Sequence, residues 1–424
     1  MREMKDSGIE WIGEIPKDWE ITKIGMLYNL RITKVSDTDY APLSVTKMGV
    51  LPQLETVAKT NAHDDRKLVK KGDFVINSRS DRRGSCGISD YYGSVSLINI
   101  VLEPKNNMSS GYYSCLFKTV QFADEFYKNG HGIVDDLWTT GWQDMKRIIL
   151  PVPHYSEQQQ IADYLDTKCS EIDATAEDIQ KEIDLLEDYK KSVITEVVTK
   201  GLNPDAEMKD SGIEWIGEIP KGWKIIRLKY ITNSIGDGLH GTPNYDDLGT
   251  IFFINGNNLG NRKISITEKS NRLTEEEYKK CGVVKLDKCT LLMSLNGTYG
   301  TLSMYDNEPI MLSKSVGYIN VCNKETKEYL YYFLQSSLAQ NQMTISLAGT
   351  TIANLSLATV RNLKICLPSI CEQQQIADYL DIKCSEIDAL IADKKRQLDI
   401  LADYKKSLIY EYVTGKKEVP VKDF

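Results

Sequence analysis

From Ser156 to Gly201 the apolar residues recur at a spacing suited to one long helix. Leu165, Ile172, Ile179, Leu186 and Val193 fall seven apart, and Ala162, Cys169, Ala176, Ile183 and Val197 supply the alternate positions of the same seam. A seven-residue repeat kept up over several heptads holds one apolar stripe against a partner helix, which is the pattern of a coiled coil. Ser156, with Gln159 three residues on, predicts a capping box at the start; Gly201 and Pro204 predict the stop. A second run carries Leu380, Ile387, Leu401 and Leu408, with Ala377, Cys384, Ile391, Leu398 and Tyr412 alongside. Lys394 interrupts its first series, and Lys190 and Lys405 hold matching seam positions, where a lysine sacrifices stability and can fix register. Cys371 stands where Ser156 stood, so the second cap is weaker or lies elsewhere. At 1.5 Å per residue, roughly forty residues make a rod of ~60 Å. Two matching seams in one chain predict an antiparallel pair, with the segments before each helix at opposite ends of the rod.

The helices belong to a longer repeat. MKDSGIEWIGEIPKDW at 4–19 returns at 208–223 with one change, Asp18 to Gly222. EQQQIADYLDTKCSEIDA at 157–174 returns at 372–389 with one change, Thr167 to Ile382. The first pair is offset by 204 residues and the second by 215, so the intervening segment is eleven residues longer in the second half. Those segments, about 22–150 and 224–366, share little identity. A period near 210 is far too long for a solenoid and marks a duplicated domain pair. The pattern suits a constant frame that presents two different reading heads.

Composition alters the picture only when taken segment by segment. The chain of 424 residues is 41% hydrophobic and 26% charged, as in ordinary globular proteins, and its length suggests two or three domains. No run approaches the ~18 apolar residues of a membrane span, and the N-terminus lacks an apolar signal core, so a cytoplasmic protein is expected. Nine cysteines without a CxxC argue against a zinc ribbon or disulfide framework and fit a reducing compartment. The net charge of -8 is unevenly spread: 22–150 carries +3 and 224–366 carries +4, whereas 151–223 carries -10. Two mildly basic heads on an acidic frame fit DNA contact through the heads and protein contact through the frame.

The box GIEWIGEIPKDW, the LPVP entry before SEQQQIADYLD, and the tail DYKKSVITEVVTKG together resemble the DNA-specificity subunit of type I restriction-modification systems. The resemblance covers essentially the whole chain, in the family's order, twice over. It implies an α+β multidomain fold: two α/β target recognition globules joined by two long helices pairing as an antiparallel coiled coil in pseudo-twofold relation. The expected divisions are 1–150, repeat box plus first recognition domain; 151–203, first helical region; 204–367, repeat box plus second recognition domain; and 368–424, second helical region. The resemblance further implies double-stranded DNA as ligand, with a half-site per domain and a spacer set by the helices. Two adenine-N6 methyltransferase subunits and two motor-nuclease subunits are the implied partners. No cofactor is expected on this chain; S-adenosylmethionine would belong to the methyltransferase partner, and ATP and Mg to the motor-nuclease.

Candidate reading residues come from loop chemistry. Major-groove discrimination uses Arg or Lys for guanine and Asn or Gln for adenine. In the first block KKGDFVINSRSDRRGSCG at 70–87 predicts a turn, a short strand and a polar loop, and Asn77, Arg79, Ser80, Arg82 and Arg83 form its densest cluster. In the second, KLDKCTLLMSLNGTYGTL at 285–302 has the same grammar and offers Asn296, Thr298 and Tyr299. Asn255, Asn257, Asn258 and Arg262 form another candidate loop, and His240 and Thr242 a third; each group is equally open to being a plain turn. Both blocks are expected to close on a strand entering proline, MKRIILPVP at 145–153 and VRNLKICLP at 360–368. Trp11, Trp19, Trp215 and Trp223 of the boxes are expected to be packing anchors, and Trp138 and Trp142 core.

Two other classes compete. An adenine methyltransferase needs an [N/D]-P-P-[Y/F] motif and a Gly-rich loop, and a translocase needs G-x(4)-G-K-[S/T]; neither pattern occurs, so a non-catalytic chain is expected. The alternative is a coiled-coil scaffold with two protein-binding heads, which salt-dependent, sequence-selective DNA binding would exclude.

Overall fold

The structure is a computed structural model that describes residues 2–53, 65–79, 82–105, 108–132, 138–260, 262–282, 284–347 and 354–420. It is a mixed helix and sheet protein in two compact units, Met1–Gln180 with Arg396–Phe424, and Lys181–Lys395. The two long helices, Tyr155–Lys200 and Ile370–Val413, each contribute one part to each unit. Among the described residues no helix is long and apolar enough to cross a membrane.

In the first unit the box folds as a short hairpin, Met4–Asp6 against Glu14–Pro16. Glu20–Lys23 then pairs antiparallel with Ile149–Val152, so the variable block leaves and returns at one place and closes on the expected strand. Between them lies a four-stranded antiparallel sheet in the order Cys86–Ile88, Phe74–Asn77, Asn99–Pro104, Tyr28–Leu30. Phe74–Asn77 is buried along its whole length, which is why it reads as an unbroken apolar run. Its sheet packs on an aromatic core of Trp19, Tyr28, Phe74, Tyr112, Tyr113, Phe117 and Phe122.

The second unit repeats this plan. Met208–Asp210 pairs with Glu218–Pro220, and Lys224–Arg227 with Lys364–Leu367. Its four-stranded sheet runs Thr232–Asp237, Val316–Val321, Thr290–Ser294, Leu302–Met304, again with the predicted apolar strand inside the sheet. Trp223, Tyr329, Leu330 and Phe333 anchor the core.

Along the two long helices the seam positions are buried to different degrees. Leu165, Ile183, Val197, Leu380, Cys384, Ile387, Ile391, Leu408 and Tyr412 are buried. Ile172, Ile179, Leu186, Val193, Leu398 and Leu401 are half-buried among exposed neighbours. In the first unit Tyr164 meets Tyr412 and Lys405 Nζ reaches both carboxylate oxygens of Asp173 at 2.6 Å. In the second unit Lys190 Nζ reaches both oxygens of Asp388 at 2.7 Å, and Lys394 pairs with Glu182. Within each unit the two helical parts therefore run in opposite directions. All three seam lysines are matched by a carboxylate from the facing helix, so their charged ends are satisfied at the edge of the stripe.

Two helix starts depart from the expectation. The first helix begins at Tyr155, which places Ser156 inside the first turn, and the Ser156–Gln159 capping box does not form. Gln158 does the local work instead: its Nε2 donates to Pro153 O and its Oε1 accepts from Ser109 N. The second cap lies at Ser369, two residues before Cys371. Ser369 Oγ accepts from Glu372 N, and the Glu372 carboxylate accepts from Ser369 N, a reciprocal capping box.

Candidate nucleic-acid interface

In each unit the inner apolar strand delivers a polar loop at one end of the sheet. In the first this loop spans 78–85, between Phe74–Asn77 and Cys86–Ile88; in the second it spans 295–301, between Thr290–Ser294 and Leu302–Met304. The two are equivalent in their anchoring as well as their order. Ser78 N donates to Ile98 O, and Leu295 N donates to Ser315 O, so each loop hangs on the turn between the next two strands.

Arg79, Arg82 and Arg83 are exposed on the first loop, whereas Ser80 lies outside the described residues. Asn77 is buried, and its Oδ1 accepts from Arg79 N at 3.1 Å, which shapes the loop from beneath. Arg79 also bridges Thr139 through the backbone. The Arg83 guanidinium pairs with Asp124 and lies 5.4 Å from the Tyr127 ring centre. Tyr127 in turn stacks on Trp138, whose Nε1 donates to Tyr127 O. This loop is thus a cationic rim backed by two aromatic rings.

The second unit brings three candidate segments together around the turn Ser313–Lys314–Ser315. Leu239 N donates to Leu312 O and Lys314 N to Leu239 O; Ser313 N donates to Ile254 O; Gly256 N donates to Ser315 Oγ. His240 and Thr242, Asn255–Asn258, and Asn296–Tyr299 therefore issue from strand ends that share one hub. Lys314 stands exposed in its middle. The sequence reading missed it, although a lone polar triplet between the apolar runs IML and VGYINV is a turn signal. The corresponding turn of the first unit is Leu97–Ile98, both partly exposed.

Individual candidates differ in how free their side chains are. Asn255 caps the turn Gly256–Asn258, its Oδ1 accepting from Asn257 N, while Asn258 Oδ1 accepts from Asn255 N and its Nδ2 donates to Ser265 O. Asn257 is exposed at the turn's tip. His240 Nε2 lies 2.7 Å from Asp237 Oδ2 with the ring mostly exposed, and Thr242 is exposed beside it. Asn296 holds its Oδ1 buried with no hydrogen-bond partner. Thr298 is exposed, and Tyr299 OH lies 3.2 Å from Thr344 Oγ1. Arg262 points away from the tip: its guanidinium pairs with Glu328 and with Asp381 of the second long helix.

The box tryptophans also split. Trp19 and Trp223 are fully buried, and Trp11 packs edge-on against Phe122. Trp215, expected to be an anchor like its counterpart Trp11, is 43% exposed. It borders a groove with Leu338, Ile345 and Leu363, because the second block supplies no ring where Phe122 covers Trp11.

These features define a duplicated mixed helix and sheet chain whose near-identical frames carry dissimilar polar loops at equivalent sheet ends. The chain belongs to the family described as the type I restriction modification DNA specificity domain, whose model matches residues 16–185 and 220–399. It is 26% identical over 426 residues to the type I restriction enzyme MjaVIII specificity subunit of Methanocaldococcus jannaschii, covering 96% of this chain and 94% of that protein. It is also 26% identical over 135 residues to the EcoBI specificity subunit of Escherichia coli, covering 32% of this chain and 28% of that one. In fold it is similar, with a TM-score of 0.69 and 14% identity, to a chain from a structural study of type I R-M complex assembly and conformational transition, over 95% of this chain and 99% of that one.

Proposed function

We propose that the chain is the non-catalytic subunit through which a type I restriction-modification complex reads a bipartite DNA target, one half-site per unit. The observation that carries this reading is the pairing of sameness and difference: one frame built twice, with an arginine rim at 78–85 in one copy and an asparagine-rich hub around Lys314 in the other. Exposed Arg79 and Arg82 suit guanine or phosphate; exposed Asn257 suits adenine; Lys314 suits either guanine or phosphate. Asn77, Asn255 and Asn258 shape the turns that present them, and Arg83, His240, Thr242, Asn296, Thr298 and Tyr299 line the same sheet ends.

On this reading the long helices form an antiparallel coiled coil that fixes the spacer, and their acidic faces dock two methyltransferase subunits and, in the full complex, two motor-nuclease subunits. S-adenosylmethionine, ATP and Mg are held by those partners, and the chain works in the cytoplasm. The test is modified-base sequencing of DNA from a methylation-free host expressing the chain with its neighbouring methyltransferase gene. The expected result is one split motif with N6-methyladenine on opposite strands. An assembled complex that adds no methylation would leave a protein scaffold as the better account.

A further inference from the structure

The sequence places Arg262 among base readers, and its surroundings give it another task. It is one of two described residues other than glycine with a positive φ, 67°, a strained conformation that persists only where neighbours hold it. It sits in the turn of the small hairpin Leu259–Gly260 and Lys263–Ile264, directly after the Asn255–Asn258 turn. Its O accepts from Met304 N, which ties the hairpin to the sheet. Its side chain leaves the hairpin for the frame. One end of the guanidinium pairs with Glu328, and the other with Asp381 and, at 3.3 Å, Tyr332 OH. Its Cζ lies 4.9 Å from the Tyr331 ring centre and 5.6 Å from that of Tyr332. Tyr332 OH donates to the same Asp381 oxygen, so hydroxyl, carboxylate and guanidinium form one closed set. The planar fork of arginine suits such a site, and a flexible ammonium does not.

Among the described residues the first unit shows no such clamp. Asp166, the counterpart of Asp381 in the repeated ADYLD motif, is exposed, and among the described residues no basic side chain pairs with it. Tyr112 and Tyr329 hold equivalent places, each donating to the closing strand and to the end of a long helix. By that alignment Cys115 stands where Tyr332 stands, and Gly111 where Glu328 stands. A Cβ at Gly111 would come within 2.8 Å of the Ala162 Cβ. The first block therefore seats its helix directly on the frame, while the second holds its hairpin there through an arginine.

We infer that Arg262 is a positioning residue that fixes the pose of the Asn255–Asn258 reading turn by locking its hairpin to Asp381 and Glu328, without itself reading a base. The inference rests on the bipartite reading above, and its test separates the two. Full-length Arg262→Ala, Asp381→Asn and the double variant are compared with the unchanged chain by hydrogen exchange and, with the methyltransferase, by modified-base sequencing. Exchange within 255–264 is expected to rise about tenfold in each single variant, the scale set by losing a charge-assisted hydrogen bond, and no further in the double. The methylated motif should keep the same bases in both halves while its methylation slows equally in all three variants. Unchanged exchange in 255–264, or faster exchange throughout the second unit, overturns the clamp. So does a motif relaxed at one base by Arg262→Ala and left intact by Asp381→Asn, since that is the mark of direct reading. If the unchanged chain directs no methylation, the functional reading fails and the exchange pattern alone decides the clamp.

Discussion

The two units share a frame almost bond for bond and differ in how their heads are fastened to it. Trp19 Nε1 donates to Glu157 in the first unit, and Trp223 Nε1 to Glu372 in the second. Lys5 Nζ caps Trp19 O, and Lys209 Nζ caps Trp223 O. Gln158 and Gln373 each donate to the carbonyl of a proline before their helix. The seam pairs Lys405–Asp173 and Lys190–Asp388 are one interaction made twice. Against this stand the Gly111–Ala162 approach in one unit and the Arg262 clamp in the other. A duplicated protein can diverge where it reads only if it holds constant the contacts that keep each head folded. The shared bonds are those contacts.

The comparison is broken most directly at the tryptophans. Both are fully buried under the box and the end of a long helix, where Gly415 lies against Trp19 and Gly201 against Trp223. Trp19→Ala and Trp223→Ala are each expected to cost about 3–5 kcal/mol, a large share of the roughly 5–15 kcal/mol that holds an ordinary domain folded. Urea unfolding followed separately in each unit by hydrogen exchange checks this. A loss in one unit much larger than in the other would show that the frames are alike in geometry and unlike in energetics.

The next effect is smaller and tests the join between strand and helix. Tyr112 OH donates to Val413 O at 2.7 Å, and Tyr329 OH donates to Cys366 O at 2.5 Å and Val198 O at 3.1 Å, all buried. Replacing either by Phe strands buried carbonyls and should cost about 1–3 kcal/mol. Equal shifts in the denaturation midpoints of Tyr112→Phe and Tyr329→Phe would sharpen the equivalence that aligns the two blocks despite their low identity.

Much of this frame was legible in the sequence because it rests on periodicity and on repetition. A heptad seam needs only the spacing of Leu, Ile and Val, and a closing strand only its apolar run before proline. The candidate reading residues were less legible, for a physical reason. Short polar side chains in turns bond first to their own backbone, so Asn77, Asn255 and Asn258 are used in building loops that their composition suggested they would read from. The ion pairs of Arg262 could not be foreseen because its partners, Glu328 and Asp381, lie 66 and 119 residues away in the chain. Lys314 does not stand out in the sequence, because the three strand ends around it meet only in space. Trp215 follows the same logic: an identical box exposes it only because its neighbouring block lacks the ring that covers Trp11.

The single difference between the boxes offers a finer test. Asp18 pairs with Arg2, which also pairs with Glu157; the corresponding positions in the second unit are Gly222 and Ala206. The Asp18–Arg2 pair is largely solvent-facing, so Asp18→Gly should cost under about 1 kcal/mol. Gly222→Asp alone is expected to do nothing, because a Cβ there meets no atom within 4 Å and Ala206 offers no charge to pair with. Combined with Ala206→Arg it should stabilise the second unit and leave the first unchanged. Thermal melts of the three variants distinguish this from a role for the glycine itself.

The smallest expected effect concerns the glutamates under the tryptophans. Glu157 is shared between Trp19 and Arg2, whereas Glu372 is shared between Trp223 and Ser369. Burial acts to raise the Glu372 pKa, but the hydrogen bonds from Ser369 and Trp223 outweigh it and leave the carboxyl below its ordinary value. A carboxylate depressed in the folded state lends stability above its unfolded pKa and loses it as the pH falls through the folded one. Acidification from neutral pH should therefore weaken the second helix cap on the acid side of the usual glutamate range. Glu372→Gln should flatten that limb of the stability curve and lower the neutral region slightly towards it, because Trp223 and Ser369 donate to opposite carboxylate oxygens and the amide keeps only one acceptor. An acid limb equally steep with and without Glu372 would mean that the cap, unlike the tryptophan it supports, contributes nothing that titrates.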